Sequence, residues 1–261
     1  MSLPILVEWE ITLKCNYSCS YCCSVNTRPT EARPIPAKPP ILDKTRIREF
    51  IRMLGDTYPG VEIFVFGGEP FVHPHIEYII KTLNEYEIPF VIQTNMSKHS
   101  VKIMNKISDP FIIQVSIHPT EVRLEDVEVP PDANIRVIDV MYSGREAIDY
   151  YFKVKGKAPN VYLTPVASFG KGTDDALIDF NKIRKNPAWQ KIINFEDCKS
   201  EIPGETLGEY RSNLWENYNP RGKPCLYNGR YFLYSPSFEL YNCCYRINHD
   251  SICPRDKCFF M

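Results

Sequence analysis

The sequence predicts an α/β protein: a partial (β/α)6 barrel of the TIM type, with a small cysteine-rich β-hairpin extension at its C-terminus. Three observations predict it. Strand-like and helix-like segments alternate through six units between about residues 5 and 185. The strands are nearly unbroken apolar runs, as a parallel sheet covered on both faces requires. The chain of 261 residues is long for one core but ordinary for a single α/β barrel. Serial βα units join through right-handed crossovers into a parallel sheet. A flat doubly wound sheet is the structural alternative.

Val7 to Leu13 reads as the first strand. Asp43 caps a helix running to about Leu54, with Ile47, Phe50, Ile51 and Leu54 on one face. Val61–Phe66 is the second strand, and His75–Glu85 the helix after it. Phe90–Gln93 is a strand followed by a helix over Ser97–Ile107. Phe111–Ile117 is the fourth strand, and residues 118–134 lack a clear helix. Ile135–Met141 and a helix from about Arg145 to Phe152 make the fifth unit. Val161–Val166 and Asp174–Arg184 make the sixth.

Two stretches break the rhythm. Residues 24–40 carry five prolines and read as an extended loop. Residues 186–261 lose the βα pattern and gain cysteines, so the domains divide as 1–185 and 186–261. Within the second, Arg230–Tyr234 and Glu239–Asn242 read as two strands joined by residues 235–238.

The formal net charge of −1 gives no electrostatic ground for a nucleic-acid or anionic-membrane partner. No stretch approaches the roughly 18 apolar residues of a membrane span, and the N-terminus lacks a secretory signal. A cytoplasmic location is therefore expected. In a reducing compartment ten cysteines point to metal rather than disulfides. They cluster, with four at positions 15–23, six at 198–258 and none between.

Cys15, Cys19 and Cys22 have the spacing C-x3-C-x2-C directly after the first strand. Three thiolates can hold one face of a cubane iron–sulfur cluster and leave one iron open for chemistry. A zinc site is the alternative from spacing alone. Ligands of parallel α/β sheets bind beyond the carboxyl ends of strands, where this loop lies. Cys23 reads as packing. Gly67-Gly68-Glu69-Pro70 closes the second strand. Its glycines permit close backbone approach to a ligand, and its carbonyls and carboxylate can accept from an ammonium group.

These two motifs together resemble the radical S-adenosylmethionine (SAM) superfamily over roughly residues 5–185. The resemblance implies a SAM-binding [4Fe–4S] cluster on Cys15, Cys19 and Cys22, with SAM chelating the fourth iron. It implies that Tyr21 packs near adenine and that Gly67, Gly68, Glu69 and Pro70 bind the SAM amino group. Polar SAM contacts are expected at the strand ends Thr94, Asn95, Ser116 and His118, with His118 alternatively facing the substrate. Val166 is expected to meet adenine through its backbone. Arg123, Arg145 and Lys153 are open candidates for the SAM carboxylate. The glycine-rich motif that some members carry on strand five is replaced by Val140-Met141-Tyr142.

The second cluster runs Cys225, Cys243, Cys244, Cys253, Cys258. Thiolates gathered by a hairpin and a tail would bind metal and staple a region with little core of its own. This part resembles SPASM and twitch extensions, although Phe238 stands where a glycine is usual. It implies one auxiliary [4Fe–4S] cluster on Cys225, Cys243, Cys253 and Cys258, with structural zinc as the alternative. Cys244 competes with Cys243, and Cys198 is an outside candidate.

The resemblance implies reductive cleavage of SAM to a 5′-deoxyadenosyl radical, which abstracts hydrogen from a substrate, with electrons from a donor such as flavodoxin or ferredoxin. The auxiliary cluster would make net oxidation the outcome. Peptide or protein modification is the favoured reading. Against it, the barrel starts near residue 5, leaving no leader-binding domain ahead of it. A small polar metabolite dehydrogenase or epimerase is the alternative. From another class, a non-catalytic zinc-binding module is the rival, and Gly67-Gly68-Glu69-Pro70 argues against it.

Overall fold

The computed structural model describes residues 5–22, 43–166, 179–180, 182–194, 231–234 and 240–241. The strands are β1 (Leu6–Thr12), β2 (Glu62–Gly67), β3 (Phe90–Thr94), β4 (Ile112–Ile117), β5 (Ile135–Tyr142), β6 (Asn160–Pro165), β7 (Tyr231–Tyr234) and β8 (Leu240–Tyr241). The helices are α1 (Lys44–Thr57), α2 (Ile76–Glu85), α3 (Lys98–Met104), α4 (Ala147–Val154) and the single turn α5 (Pro187–Gln190). Residues 179–180 and 182–184 are also helical.

Side-chain caps open α1 and α3. Asp43 accepts the Arg46 N–H at 2.9 Å and opens α1. Ser97 accepts the Ser100 N–H at 3.2 Å and opens α3. Residues 118–134 form only one 3-10 turn, Leu124–Asp126, so no helix covers the β4–β5 crossover.

The sheet order is β6-β5-β4-β3-β2-β1-β7-β8. The first six strands are parallel and stand in sequence order, with no reversal point. That order decides against the doubly wound alternative, because a doubly wound sheet reverses direction at its switch point. Right-handed crossovers that all step the same way put every helix on one face.

Val7, Trp9, Ile11, Ile63, Val65 and Ile92 point to that face, where they form one core with Ile47, Ile51, Leu54, Ile80 and Leu83. By register, Glu8, Phe64, Gln93, Gln114, Asp139 and Thr164 take the opposite face. There Gln93 donates to Ser116 at 3.0 Å, and Gln114 and Thr164 donate to Asp139 at 2.8 and 3.2 Å. The strands are thus less uniformly apolar than a fully packed barrel demands. Their second face sets hydrogen-bonded polar side chains beside apolar ones such as Phe64, Val91 and Met141.

β7 and β8 pair antiparallel, Leu233 with Tyr241 and Tyr234 with Leu240. What the sequence did not reveal is that β7 extends the main sheet, pairing parallel with β1 from Leu6↔Tyr231 to Trp9↔Tyr234. Tyr234 is buried against Phe50 (ring centroids 4.9 Å apart), and its hydroxyl lies 3.3 Å from that of Tyr58. Cys198, Cys225, Cys243, Cys244, Cys253 and Cys258, the proline-rich loop and Cys23 all lie outside the described residues.

Candidate functional site

The ends of β1 and β2 are stitched together by their backbones. Gly68 N–H donates to the Thr12 carbonyl at 2.8 Å, and Glu69 N–H to the Lys14 carbonyl at 2.8 Å. Gly67 has φ +146°, and a Cβ there would stand 2.3 Å from the Thr12 carbonyl oxygen. A Cβ on Gly68 would stand 2.1 Å from the Lys14 carbonyl oxygen. The glycine pair therefore allows β2 to approach the backbone of Thr12 and Lys14 closely.

Glu69 closes the same turn. Its side chain is fully buried, with Oε1 accepting from Thr94 Oγ1 (2.9 Å) and Phe71 N–H (3.2 Å), and Oε2 from Asn95 N–H (2.7 Å). Burial pushes its carboxyl upward, while those donors pull the other way. The carboxylate is a staple from the end of β2 to the end of β3. Pro70 opens a buried 3-10 turn that carries the chain to α2.

Cys15, Cys19 and Cys22 follow β1 as free thiols; Cys19 is buried and the other two half-buried. The Cys22 N–H donates to the Cys19 carbonyl at 3.1 Å and curls the loop. Tyr17 N–H and the Asn95 amide point at Cys15 Sγ, at 3.4 and 3.8 Å. Burial raises the Cys15 thiol. Burial, then Glu121, then Cys22 and Cys15 push Cys19 up to about 12. The three sulfurs thus repel one another as thiolates, a cost that a bound cation or cluster would offset. No three His, Cys, Asp or Glu side chains among the described residues group as ligands of one metal ion. Three corners of a cubane need a wider spread than one ion does.

The turn after β4 clamps this loop. Glu121 accepts the Ser18 N–H at 2.9 Å. The Tyr21 ring stacks on His118 (centroids 5.9 Å apart), and its hydroxyl lies 3.1 Å from His118 Nδ1. Thr120 Oγ1 donates to the same Tyr21 hydroxyl at 3.5 Å. Burial lowers His118 from 6.5 to about 4, so it is uncharged at neutral pH. Between those two values the unfolded chain binds the proton and the folded chain does not. This histidine's share of stability is therefore intact above 6.5 and lost as pH falls toward 4. By proton NMR, the His118 Cε1–H shift is expected to stay flat from pH 8 to 5.5; a titration centred near 6.5 would contradict the stacked, desolvated imidazole.

Val166, just past β6, packs with Cys19 and Tyr21, and Tyr17, Cys22 and Met141 lean on the group. Met141 thus supplies apolar contact where the expected strand-five glycines are missing. The Val166 N–H is tied to the Tyr142 carbonyl at 3.3 Å. Ser116 lies on the polar face of β4, and Thr94 and Asn95 are held by Glu69.

The candidates for the SAM carboxylate are otherwise engaged. Arg123 pairs with Asp126 at 2.8 Å, Arg145 with Asp179 at 2.9 Å, and Lys153 with the Leu124 carbonyl. Sequence reasoning missed Asn16, Thr120 and Glu121. Asn16 sat in plain view inside the cysteine motif, but nothing local in the sequence marks the other two.

Residues 9–149 match the sequence profile of the Radical SAM superfamily, more than half of the chain. This chain belongs to the radical SAM superfamily. Membership implies an enzyme, a SAM-binding [4Fe–4S] cluster and SAM itself. Similar solved structures include Streptococcus suis SuiB bound to S-adenosylmethionine, with TM-score 0.56 and 16% identity over 93% of this chain. SuiB bound to its precursor peptide SuiA gives TM-score 0.57 and 15% identity over 100% of this chain. At that identity the likeness concerns the fold. The chain spans only 61% and 63% of those two SuiB chains. No curated protein matches the sequence. No described helix is long and apolar enough to cross a membrane.

Proposed function

We propose that the chain holds the radical SAM cluster on Cys15, Cys19 and Cys22, cleaves SAM reductively, and modifies a peptide or protein side chain with net oxidation. The observation that carries the first part is the backbone stitching of Gly68 and Glu69 to Thr12 and Lys14, which fixes the cysteine loop beside the Gly67-Gly68-Glu69-Pro70 turn. When bound, the cluster supplies one electron that splits SAM into methionine and a 5′-deoxyadenosyl radical able to take hydrogen from a substrate carbon. The residues of the chain do the positioning. Tyr21 and Val166 offer an apolar seat for adenine beside Cys19, and the backbone carbonyls of Gly67 and Gly68 suit the SAM ammonium. Glu69, Thr94 and Asn95 brace that turn from behind. The polar face bearing Gln93, Ser116, Gln114 and Asp139 suits a substrate rich in hydrogen-bonding groups.

The peptide reading draws support from the fold shared with SuiB, one of whose structures carries a precursor peptide. The same reading places an auxiliary [4Fe–4S] cluster on Cys225, Cys243, Cys253 and Cys258 of region 186–261, as the electron acceptor that net oxidation needs. The β7–β8 hairpin lies between the first two of those cysteines. The test is 5′-deoxyadenosine formation by the anaerobically reconstituted chain with dithionite, with and without candidate peptides. Burst formation that peptides accelerate is the expected result. Acceleration by small polar metabolites alone would transfer the reading to a metabolite dehydrogenase, and no 5′-deoxyadenosine at all would end it.

A further inference from the structure

Asn95 has a role that neither its motif nor its strand-end position predicts. Its amide orientation is fixed by its neighbours. The Asn95 Oδ1 accepts the Ser97 backbone N–H at 3.0 Å and the Ser100 hydroxyl at 3.4 Å, so that atom must be the oxygen. The Nδ2 therefore faces the cysteine loop with two hydrogens to place. One goes to Asn16 Oδ1 at 2.8 Å, and Asn16 is itself held by donating to Ser97 Oγ at 2.7 Å. The other points at Cys15 Sγ, 3.8 Å away, within reach of a hydrogen bond to sulfur. Asn95 is buried, and its backbone is pinned by Glu69, so the amide has no room to turn away.

We infer that Asn95 is a positioning residue for the cluster, donating its side-chain amide to the Cys15 thiolate and so favouring the reduced state. Adding an electron increases the negative charge shared by the sulfurs, and a donor bonds more strongly to the more negative acceptor. Removing that donor favours the oxidised cluster. This inference rests on Cys15 ligating the cluster. It also assigns Asn95 to the cluster rather than to a direct polar contact with SAM.

The test is an EPR-monitored redox titration of the reconstituted full chain without SAM, for wild type and Asn95→Ala, with iron counted in each. At a fixed potential the reduced-to-oxidised ratio is expected to fall about tenfold in the variant, equal to about 59 mV for a one-electron couple. An unchanged ratio with iron retained overturns the inference. A second measurement does not depend on that variant folding. Asn16→Asp, labelled with 15N at its asparagine side-chain amides, keeps Asn95 as the sole labelled amide aimed at Cys15. Pulsed EPR of its reduced cluster should show a 15N coupling, and its absence overturns the inference. Wild type that takes up no iron at the triplet sinks the functional reading itself, a different result from either.

Discussion

Anaerobic reconstitution with iron and sulfide is expected to give about eight irons per chain for wild type and about four for Cys15/Cys19/Cys22→Ala, four for each cluster. The triple variant should form no 5′-deoxyadenosine. Single replacement of Cys19 is expected to act nearly as strongly. Cys19 is the buried member of the three and packs against Tyr21 and Val166, so under the proposed function its loss removes a ligand and loosens that packing together. Activity should fall by several orders of magnitude, because the electron for SAM cleavage then has no route to the sulfonium. The fold should survive, since the thiols lie beyond the strand ends and outside the main core. Unchanged circular dichroism beside lost iron would establish that separation. Four irons in wild type and none in the variant, with zinc retained, would leave the C-terminal cysteines structural and remove the ground for net oxidation.

Much of the architecture was legible because helix and strand periods differ so plainly. Ile47, Phe50, Ile51 and Leu54 are spaced for one helical face, and all four are buried there. Asp43 and Ser97 announce their helices by side-chain chemistry that acts within three residues. The missing helix after β4 was legible too, since residues 118–134 carry no such period. The parallel pairing of β7 with β1 was not, because a pairing across more than 200 residues leaves no local trace. The polar second face was visible residue by residue, as Glu8, Gln93, Gln114 and Asp139. Apolar neighbours from the other face masked its continuity.

The sequence names the side chains at the two strand ends but not the neighbours that hold them. Spacing located Cys15, Cys19 and Cys22, and the glycine motif located the second strand end. Yet a motif says which residues recur, not which atoms they present. Glu69 reads as a ligand for an ammonium group, and in the fold its two oxygens also accept from Thr94, Phe71 and Asn95. His118 reads as a strand-end polar residue, and the structure makes it the platform under Tyr21. Glu121 and Thr120 brace the cysteine loop from about 100 residues away, a distance no spacing rule spans.

Gly68→Ala is the substitution outside the cysteines with the largest expected effect. Its new methyl would sit 2.1 Å from the Lys14 carbonyl oxygen and 2.5 Å from the Lys14 carbonyl carbon, both backbone atoms that cannot swing aside. Relief requires pulling the end of β2 away from the cysteine loop. That breaks the Gly68–Thr12 and Glu69–Lys14 hydrogen bonds and loosens the buried Glu69 staple. Overpacking of this kind costs about 3 kcal/mol, and a buried carboxylate with misplaced donors adds about 2 more. Gly60→Ala is the control. Gly60 has φ +75° but open space around its Cβ, so alanine there pays only backbone strain of about 1 kcal/mol. In urea denaturation of the apoprotein, the Gly68 variant should lose most of its midpoint and the Gly60 variant a small part. If Gly68→Ala holds its midpoint but fails to take up iron, the clash is relieved in the loop rather than in the strand. The glycine would then guard the shape of the site more than the stability of the fold. If both variants match wild type in midpoint and iron, the stitched strand ends do not hold the loop, and its geometry must come from the β4 clamp alone.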